Sequence, residues 1–280
     1  MLRPFLISAA VATLFAGSLA RAQDDVWKTL VMQALYSASA KDYAKSEQVF
    51  QQALKEAERF GSEDPRVGTT LNSLGLVYRA EKKYADAENS YRKALAILQK
   101  SYGTESVDVA NVNFNVASAM FDQDHQQAAV PHLQRALVTY ENILGGNSMK
   151  TAAVLCMLGD AHRLAKDYPA AEGALRRCAD IRESAGGMRN NDLADAMNSL
   201  ALTFMAQGKF ALADPRFTLA EKIRESTLGI TSPVLAQSFE NHAIVLHQLG
   251  KDREAERLTT MAAAIRRSER STGPSKEAKE

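Results

Sequence analysis

Glycine, proline and cysteine are scarce in this chain, and neither sign of charge is in clear excess. The 280 residues include 15 Gly, 7 Pro and 2 Cys, and 34 Lys and Arg stand against 33 Asp and Glu. This balance argues against bulk binding to nucleic acid, because phosphate neutralisation needs a surplus of basic side chains. Abundant alanine with little glycine or proline is typical of a helical protein.

Known catalytic and metal-binding motifs are also missing. The sequence has no H-E-x-x-H, no Cys-x-x-Cys, no phosphate-binding glycine loop and no G-x-S-x-G. His242 and His247 stand five residues apart, the wrong spacing for one metal-binding helix face. Asp122, Asp124 and His125 cluster at a predicted turn and could hold a cation, although polar residues at a helix end are the commoner explanation. We therefore predict a non-enzymatic protein without cofactor or bound metal.

The first residues have the pattern of an export signal. Met1-Leu2-Arg3 gives a basic start, an apolar run from Phe5 to Ala20 follows, and Ala20-Arg21-Ala22 fits a signal peptidase site. The apolar run is shorter than the ~18 residues of a membrane-spanning helix. We predict that residues 1–22 are a signal peptide and that the mature protein is periplasmic or secreted. A retained signal anchor is the alternative.

Small residues recur every 42 residues through most of the chain. A first column reads Gly75, Ala117, Gly159, Ala201 and Ala243, and a second reads Ala87, Ala129, Ala171, Ala213 and Ala255. A third column is Ala94, Ala136, Cys178, Ala220 and Ala262, and the unit-closing glycines are Gly103, Gly145, Gly187 and Gly229. Small side chains at helical spacing let two helices approach closely, and one such pair must stack on neighbours to bury its apolar face.

The repeat divides the chain into about six helix-pair units within a domain spanning residues 23–268. The predicted units lie near residues 24–63, 64–105, 106–147, 148–189, 190–231 and 232–268. The first unit has one residue deleted, and the last is predicted to be a terminal cap whose outer face meets water. Residues 269–280, which alternate Lys and Glu around Gly273-Pro274, are predicted to be a disordered tail.

The pattern L-x-x-L-G-x-x-Y, then Y-x-x-A, then Y-x-x-A-L resembles the tetratricopeptide repeat across residues 24–268. The common period of that family is 34 residues. The longer period here, with T-L-N-S-L-G at 70–75 and Y-A-D-A-E at 84–88, is similar to the kinesin-light-chain type. The resemblance implies an all-α fold, a right-handed superhelical solenoid of antiparallel helix pairs. It also implies longer second helices that end in glycines with a left-handed conformation.

In such solenoids the first helices line a concave groove that binds extended peptides, and asparagines there hydrogen-bond the peptide backbone. A carboxamide suits this role because it offers both a donor and an acceptor. The resemblance therefore implies a peptide-binding groove formed by Asn72, Arg79, Phe114, Asn115, Phe121, Asp160, Arg163, Asn198, Glu240 and Asn241. Solvated helix residues, or packing between repeats for the apolar members, are the alternatives.

The two cysteines are predicted to remain unpaired. An oxidising compartment permits a disulfide, and Cys178 occupies the small-residue column of a second helix. Cys156 lies on the first helix, three residues before Gly159, and its direction is taken to diverge from that of Cys178. Cys178 is then a small buried hydrophobe, and Cys156 is either exposed in the groove or packed in the core.

These features predict an exported scaffold that binds a protein or peptide in its concave groove. The alternative is a structural or assembly factor that acts through self-association or convex-face contacts. We expect no nucleic-acid partner and no membrane span after signal cleavage, and homo-oligomerisation stays open.

Overall fold

The computed structural model describes residues 23–186 and 191–272, and all regular structure within these ranges is helical. Twelve helices follow one another through the described chain. They are α1 (residues 23–39), α2 (Tyr43–Glu58), α3 (Pro65–Ala80), α4 (Tyr84–Tyr102), α5 (Val107–Asp122), α6 (Gln126–Leu144), α7 (Met149–Leu164), α8 (Tyr168–Gly186), α9 (Asn191–Ala206), α10 (Phe210–Leu228), α11 (Pro233–Gln248) and α12 (Asp252–Thr272).

The helices belong to two compact units, and the boundary between Thr139 and Tyr140 falls inside α6. In the first unit α2 packs on α3, α3 on α4, and α4 on α5, while α3 also touches α5. In the second unit each helix from α7 to α12 packs on the next, and α9 touches both α7 and α11. This order confirms the predicted all-α fold of stacked helix pairs.

The predicted small-residue columns lie where the two helices of a repeat meet. The alanines of the second column are fully buried, and so are the large residues that follow them, Tyr91, Leu133, Leu175 and Phe217. A Cβ added at Gly75 would lie 2.5 Å from Cε1 of Tyr91, and one at Gly159 would lie 2.4 Å from Cγ of Leu175. These distances are below van der Waals contact, so glycine at these two positions permits the close approach of the helices.

Each repeat turns between its two helices through the same hydrogen-bonded cap. In the second repeat the Lys83 N–H donates to the Tyr78 carbonyl at 2.8 Å, and the Lys82 N–H donates to the Arg79 carbonyl at 3.0 Å. This is the Schellman arrangement, which places one residue in the left-handed region. That residue, with φ between 60° and 72°, is Lys41, Lys82, Asp124, Lys166, Gly208 or Gly250.

The glycines after the second helices differ from the predicted left-handed caps. Gly103 has φ 79° and ψ 170°, and Gly229 has φ 80° and ψ 161°. Their φ is positive as predicted, but their ψ is far from the ~47° of the left-handed helix. They occupy an extended region that is essentially restricted to glycine. Gly187, the corresponding residue after α8, lies outside the described residues.

The last helix has the features of the predicted terminal cap. Ala255, Leu258, Ala262 and Ile265 are buried against α11, and most other side chains of α12 described by the structure are exposed. The helix continues to Thr272, so the predicted tail begins helically, and residues 273–280 lie outside the described part. The predicted signal peptide, residues 1–22, also lies outside it. No helix in the described ranges is both long and apolar enough to cross a membrane.

The left-handed turn residues generate a prediction about stability. Lys82 is exposed and has φ 61°, a conformation that costs a non-glycine residue roughly 1 kcal/mol. Lys82→Gly should therefore raise the free energy of unfolding by about 0.5–1 kcal/mol, measured as a higher denaturation midpoint in urea. Lys93→Gly, at an exposed position inside α4, is the matched control and should lower it by about 1 kcal/mol. Equal destabilisation by both substitutions would contradict the assignment.

Candidate functional site

Two of the predicted groove asparagines meet in the first unit. Asn72 on α3 and Asn115 on α5 are both half-buried, and Nδ2 of Asn115 donates a hydrogen bond to Oδ1 of Asn72 at 2.9 Å. No further hydrogen bond joins either side chain to another described residue. Nδ2 of Asn72 thus remains a donor and Oδ1 of Asn115 remains an acceptor. The pair offers one donor and one acceptor side by side, which matches the hydrogen-bonding groups of a peptide unit.

Exposed and half-buried apolar side chains lie on the helices of this asparagine pair and on α1. Leu76, one turn after Asn72, is 40% exposed, and the predicted groove residues Phe114 and Phe121 are half-buried. Helix α1 is fastened to α3 by a hydrogen bond from Nε1 of Trp27 to Oγ1 of Thr70, at 2.9 Å. It exposes further large apolar residues, Met32, Leu35 and Tyr36.

We call the surface formed by Met32, Leu35, Asn72, Leu76 and Asn115 the first-helix face of the first unit. The prediction from sequence did not include the residues of α1. Aligning Ala34 with Gly75 across the one-residue deletion places Met32 with Ser73 and Leu35 with Leu76, and this register would have found them.

The predicted groove residue Arg79 is paired within the first unit. Its Nε lies 2.6 Å from Oδ2 of Asp122, at the end of α5. Asp122 therefore interacts with an arginine, and Asp124 is the left-handed residue of the following turn. No group of three or more potential metal ligands is assembled in the described ranges. The pairing leaves little net charge beside the asparagine pair.

In the second unit, Asp160 and Arg163 form a pair within α7. Nη2 of Arg163 lies 3.1 Å from Oδ1 of Asp160, and Oδ2 of Asp160 accepts a hydrogen bond from Oγ of Ser199 on α9 at 3.2 Å. Both predicted groove residues are thus brought together. Their charges offset each other, and Asp160 also links two neighbouring first helices.

A buried arginine engages the predicted groove residue Asn198. Arg224 on α10 is only 5% exposed, and its Nη1 donates to Oδ1 of Asn198 at 3.2 Å while Nη2 lies 2.8 Å from Oδ1 of Asp195. Ser238 on α11 also donates to Oδ1 of Asn198, at 3.1 Å. The Asn198 oxygen is therefore occupied by contacts inside the protein.

The next repeat places Arg266 and Glu240 in the same way. Nε of Arg266 lies 3.2 Å from Oε1 of Glu240, and Nη2 donates to Oε1 of Gln237 at 3.2 Å. Arg224 and Arg266 are 42 residues apart, as are Asn198 and Glu240. Buried Arg182 stands at the corresponding position of the preceding repeat. This arginine column was visible in the sequence, but the prediction of the groove did not use it.

The remaining groove asparagine, Asn241, is half-buried and makes no side-chain hydrogen bond to another described residue. The next residue, His242, is buried between two carboxylates of α10. Its Nδ1 lies 3.0 Å from both oxygens of Glu221, and its Nε2 lies 3.0 Å from Oδ1 of Asp214. Lys251 completes the cluster with an ion pair of 2.6 Å to Asp214.

Both ring nitrogens of His242 face carboxylates, so the geometry favours the imidazolium. Burial opposes its charge, but the hydrogen bonds and charges of Glu221 and Asp214 prevail and raise the pKa of His242. Burial also raises the pKa of Glu221, against the opposing effect of His242. For Asp214, the partners Lys251 and His242 outweigh burial, so its pKa is lowered. The cluster is an ionised link between α10 and α11.

The prediction of unpaired cysteines was wrong. Cys156 on α7 and Cys178 on α8 form a disulfide, with their Cα atoms 5.6 Å apart. The error lay in taking the direction of Cys156 to diverge from that of Cys178. It shares its column with Asn198 and Glu240, which arginines of the second helices also reach. The column therefore borders the second helix, and a cysteine there can face the small-residue column that holds Cys178.

The His242 cluster generates a prediction about pH. Because its pKa is raised on folding, the stabilising contribution of His242 is present below its unfolded pKa of about 6.5 and is lost as pH rises through the folded value. The difference in unfolding free energy between wild type and His242→Gln should therefore shrink by about 1 kcal/mol or more between about pH 6 and pH 9. His125→Gln, at an exposed turn position, is the control and should show no such trend. Urea unfolding at each pH measures both, and a difference that grows with pH would contradict the assignment.

Comparison with known proteins identifies the fold. A family profile described as tetratricopeptide repeat matches residues 29–100, 67–141, 108–184 and 192–268, which together cover most of the chain. The clustered mitochondria protein homolog of Ajellomyces capsulatus is 31% identical over 93 residues, or 33% of this chain and 7% of that protein. The chain therefore spans only a small part of this relative, and the similarity concerns a segment of it.

Two solved structures have the same fold at low sequence identity. BtubC (BKLC) from P. vanneervenii has a TM-score of 0.69 and 20% identity, with 85% of this chain and 96% of that chain covered. The kinesin light chain TPR-like repeats of Podosopora anserina have a TM-score of 0.60 and 18% identity, with 72% and 95% covered. The predicted resemblance to repeats of the kinesin-light-chain type is confirmed. This chain belongs to the tetratricopeptide repeat family.

Proposed function

We propose that this protein is an exported scaffold that binds an extended segment of a partner protein on the first-helix face of its first unit. The tetratricopeptide fold supports protein–protein interaction in general. The observation that carries the specific proposal is the contact between Asn72 and Asn115, which leaves one amide donor and one carbonyl acceptor with no partner in the described structure. Such a pair can hold the backbone of a peptide irrespective of its sequence.

The surroundings of the pair suggest the side chains of the partner. Leu35, Leu76 and Met32 are 45%, 40% and 66% exposed and would contact apolar side chains. Arg79 is neutralised by Asp122, so it adds no strong preference for an acidic segment. The proposed ligand is therefore an extended segment with apolar side chains, held by hydrogen bonds to its backbone.

The second unit contributes in a more limited way. The oxygens of Asn198 and Glu240 are held by Arg224 and Arg266, so these two predicted groove residues act by fixing the first helices in place. Asn241 has no such partner and is the remaining amide offered for binding. Asp160 and Arg163 present an offset pair of charges on α7, in the predicted groove.

Site-specific photocrosslinking tests the first-helix face. A photoreactive residue replacing Leu76 in the mature protein should give a covalent adduct with the partner in cells, and mass spectrometry should locate it on an apolar extended segment. Adding Asn72→Ala and Asn115→Ala should lower the adduct yield about tenfold, because each lost hydrogen bond contributes about 0.5–1.5 kcal/mol.

Two controls make this experiment discriminating. A photoreactive residue at Lys93, exposed on α4, should give no adduct with the same partner. Asn89→Ala, at an exposed asparagine of the same helix, should leave the adduct at position 76 unchanged. Equal adducts from positions 76 and 93 would overturn the assignment to the first-helix face.

Export is part of the proposal and rests on two independent features. Residues 1–22 have the basic start, apolar run and cleavage pattern of a signal peptide. Cys156 and Cys178 pair as a disulfide, which persists in the periplasm and in secreted proteins but is rare in the cytosol. The two features are far apart in the chain and favour the same compartment.

Processing and thiol state together test this export. Expression of the full chain should give a mature protein that starts at Gln23 and has no thiol that reacts with maleimide after denaturation. Residues 23–280 expressed in a reducing cytosol should give two reactive thiols and a free energy of unfolding lower by about 2–4 kcal/mol. Cys156→Ser with Cys178→Ser should lower the stability of the exported form by a similar amount. An envelope protein that retains residues 1–22 would instead establish a signal anchor.

A further inference from the structure

A cavity of about 790 Å³ lies in the first unit, on the side away from the asparagine pair. Its walls come from the second helices α4 and α6 of neighbouring repeats, and α5 lies at its base. Asn113 lines it and is 2% exposed, whereas Asn115, two residues later on α5, is half-buried on the first-helix face. The volume is in the range of small-molecule sites, about 300–1,000 Å³.

Two lining residues are polar where the repeat is otherwise hydrophobic. Asn113 stands in a column whose other members are Leu71, Leu155, Met197 and Phe239, and Thr139 stands in the column of Ile97, Ile181, Ile223 and Ile265. Asn113 and Thr139 are nevertheless 2% and 5% exposed. The first unit therefore has polar residues at two positions that are hydrophobic in the other repeats. Both positions line this cavity, and both changes make it larger and more polar.

The side chain of Asn113 has hydrogen-bond partners within the described protein, whereas that of Thr139 has none. Nδ2 of Asn113 donates to the Val109 carbonyl at 3.0 Å, and its Oδ1 lies 2.9 Å from Nδ1 of His132. The hydroxyl of Thr139 makes no hydrogen bond to any described residue. This hydroxyl is not sealed inside the protein, because Thr139 lines the cavity and its oxygen is open to it. The hydroxyl is therefore available to hydrogen-bond a ligand in the cavity.

The rim of the cavity carries opposite charges. Arg135 on α6 and Glu105 before α5 both line it, both are exposed, and neither forms a salt bridge with another described residue. The wall between them includes Leu95 and Val138, and Val138 is 52% exposed. The cavity thus combines a cation, an anion, buried polar groups and an apolar wall.

We propose that this cavity binds a short peptide of two or three residues with free termini. The peptide carboxylate is bound by Arg135, and the ammonium group is bound by Glu105. Its amide groups hydrogen-bond Asn113 and Thr139, and a side chain packs on Leu95 and Val138. This site is independent of the proposed first-helix face, because the two share no residue.

Isothermal titration of mature protein with the dipeptide Ala-Leu tests the proposal. Wild type should bind it saturably, and N-acetyl-Ala-Leu-amide, which lacks both terminal charges, should bind at least about tenfold more weakly. Asn113→Leu with Thr139→Ile restores the residues found in other repeats. It should fold with a higher melting temperature and lose dipeptide binding.

Further variants separate this site from the first-helix face. Thr139→Ile alone should weaken binding, and it serves as the readout if the double variant does not fold. Arg135→Gln should weaken binding of Ala-Leu but not of Ala-Leu-amide. Asn72→Ala with Asn115→Ala should leave dipeptide binding unchanged. Absence of saturable binding by wild type, or equal binding by wild type and Thr139→Ile, would overturn the proposal.

Discussion

The close contact between the two helices of each repeat is the constraint on which the rest of the structure depends. The alanines at Ala87, Ala171 and their equivalents are fully buried, and at Gly75 even a methyl group would lie 2.5 Å from Tyr91. Helices this close must turn within a few residues, which explains the common left-handed turn. The same closeness places side chains of the second helix within reach of the first, so it also determines which groove residues remain available for a ligand.

Most of the fold could be predicted because a repeat shows its packing several times. One alanine in a helix says little, but five alanines 42 residues apart identify a contact that every unit must make. The conformation of the turn residues was not predicted from the repeat. Lys41, Lys82 and Lys166 share a left-handed conformation that lysine does not favour, and Asp124 has the same conformation. The packing of the two helices imposes that conformation, and only the glycines at the equivalent positions, Gly208 and Gly250, indicated it in the sequence.

The candidate site was predicted less completely because a column of residues can face two ways. Asn72 and Asn115 have only each other as partners, whereas Asn198 and Glu240, in the same column as Asn72, are engaged by Arg224 and Arg266. The difference lies on the second helix, where arginine replaces the Leu98 of the second repeat. A groove residue can therefore be assigned only when the side chains of the opposite helix are considered with it. The same omission led to the wrong prediction for Cys156.

Departures from the repeat pattern become informative once their partners are known. His242 replaces the leucine or valine of other repeats, and Glu221 replaces a leucine or alanine, but the two side chains bond each other across α10 and α11. Because these two polar side chains are each other's partners, they need no ligand. Asn113 and Thr139 also replace hydrophobic residues, yet Thr139 has no partner in the described structure and borders a cavity. The second pair of changes therefore adds a hydrogen-bonding hydroxyl to the wall of a cavity, where a molecule from outside the chain can reach it.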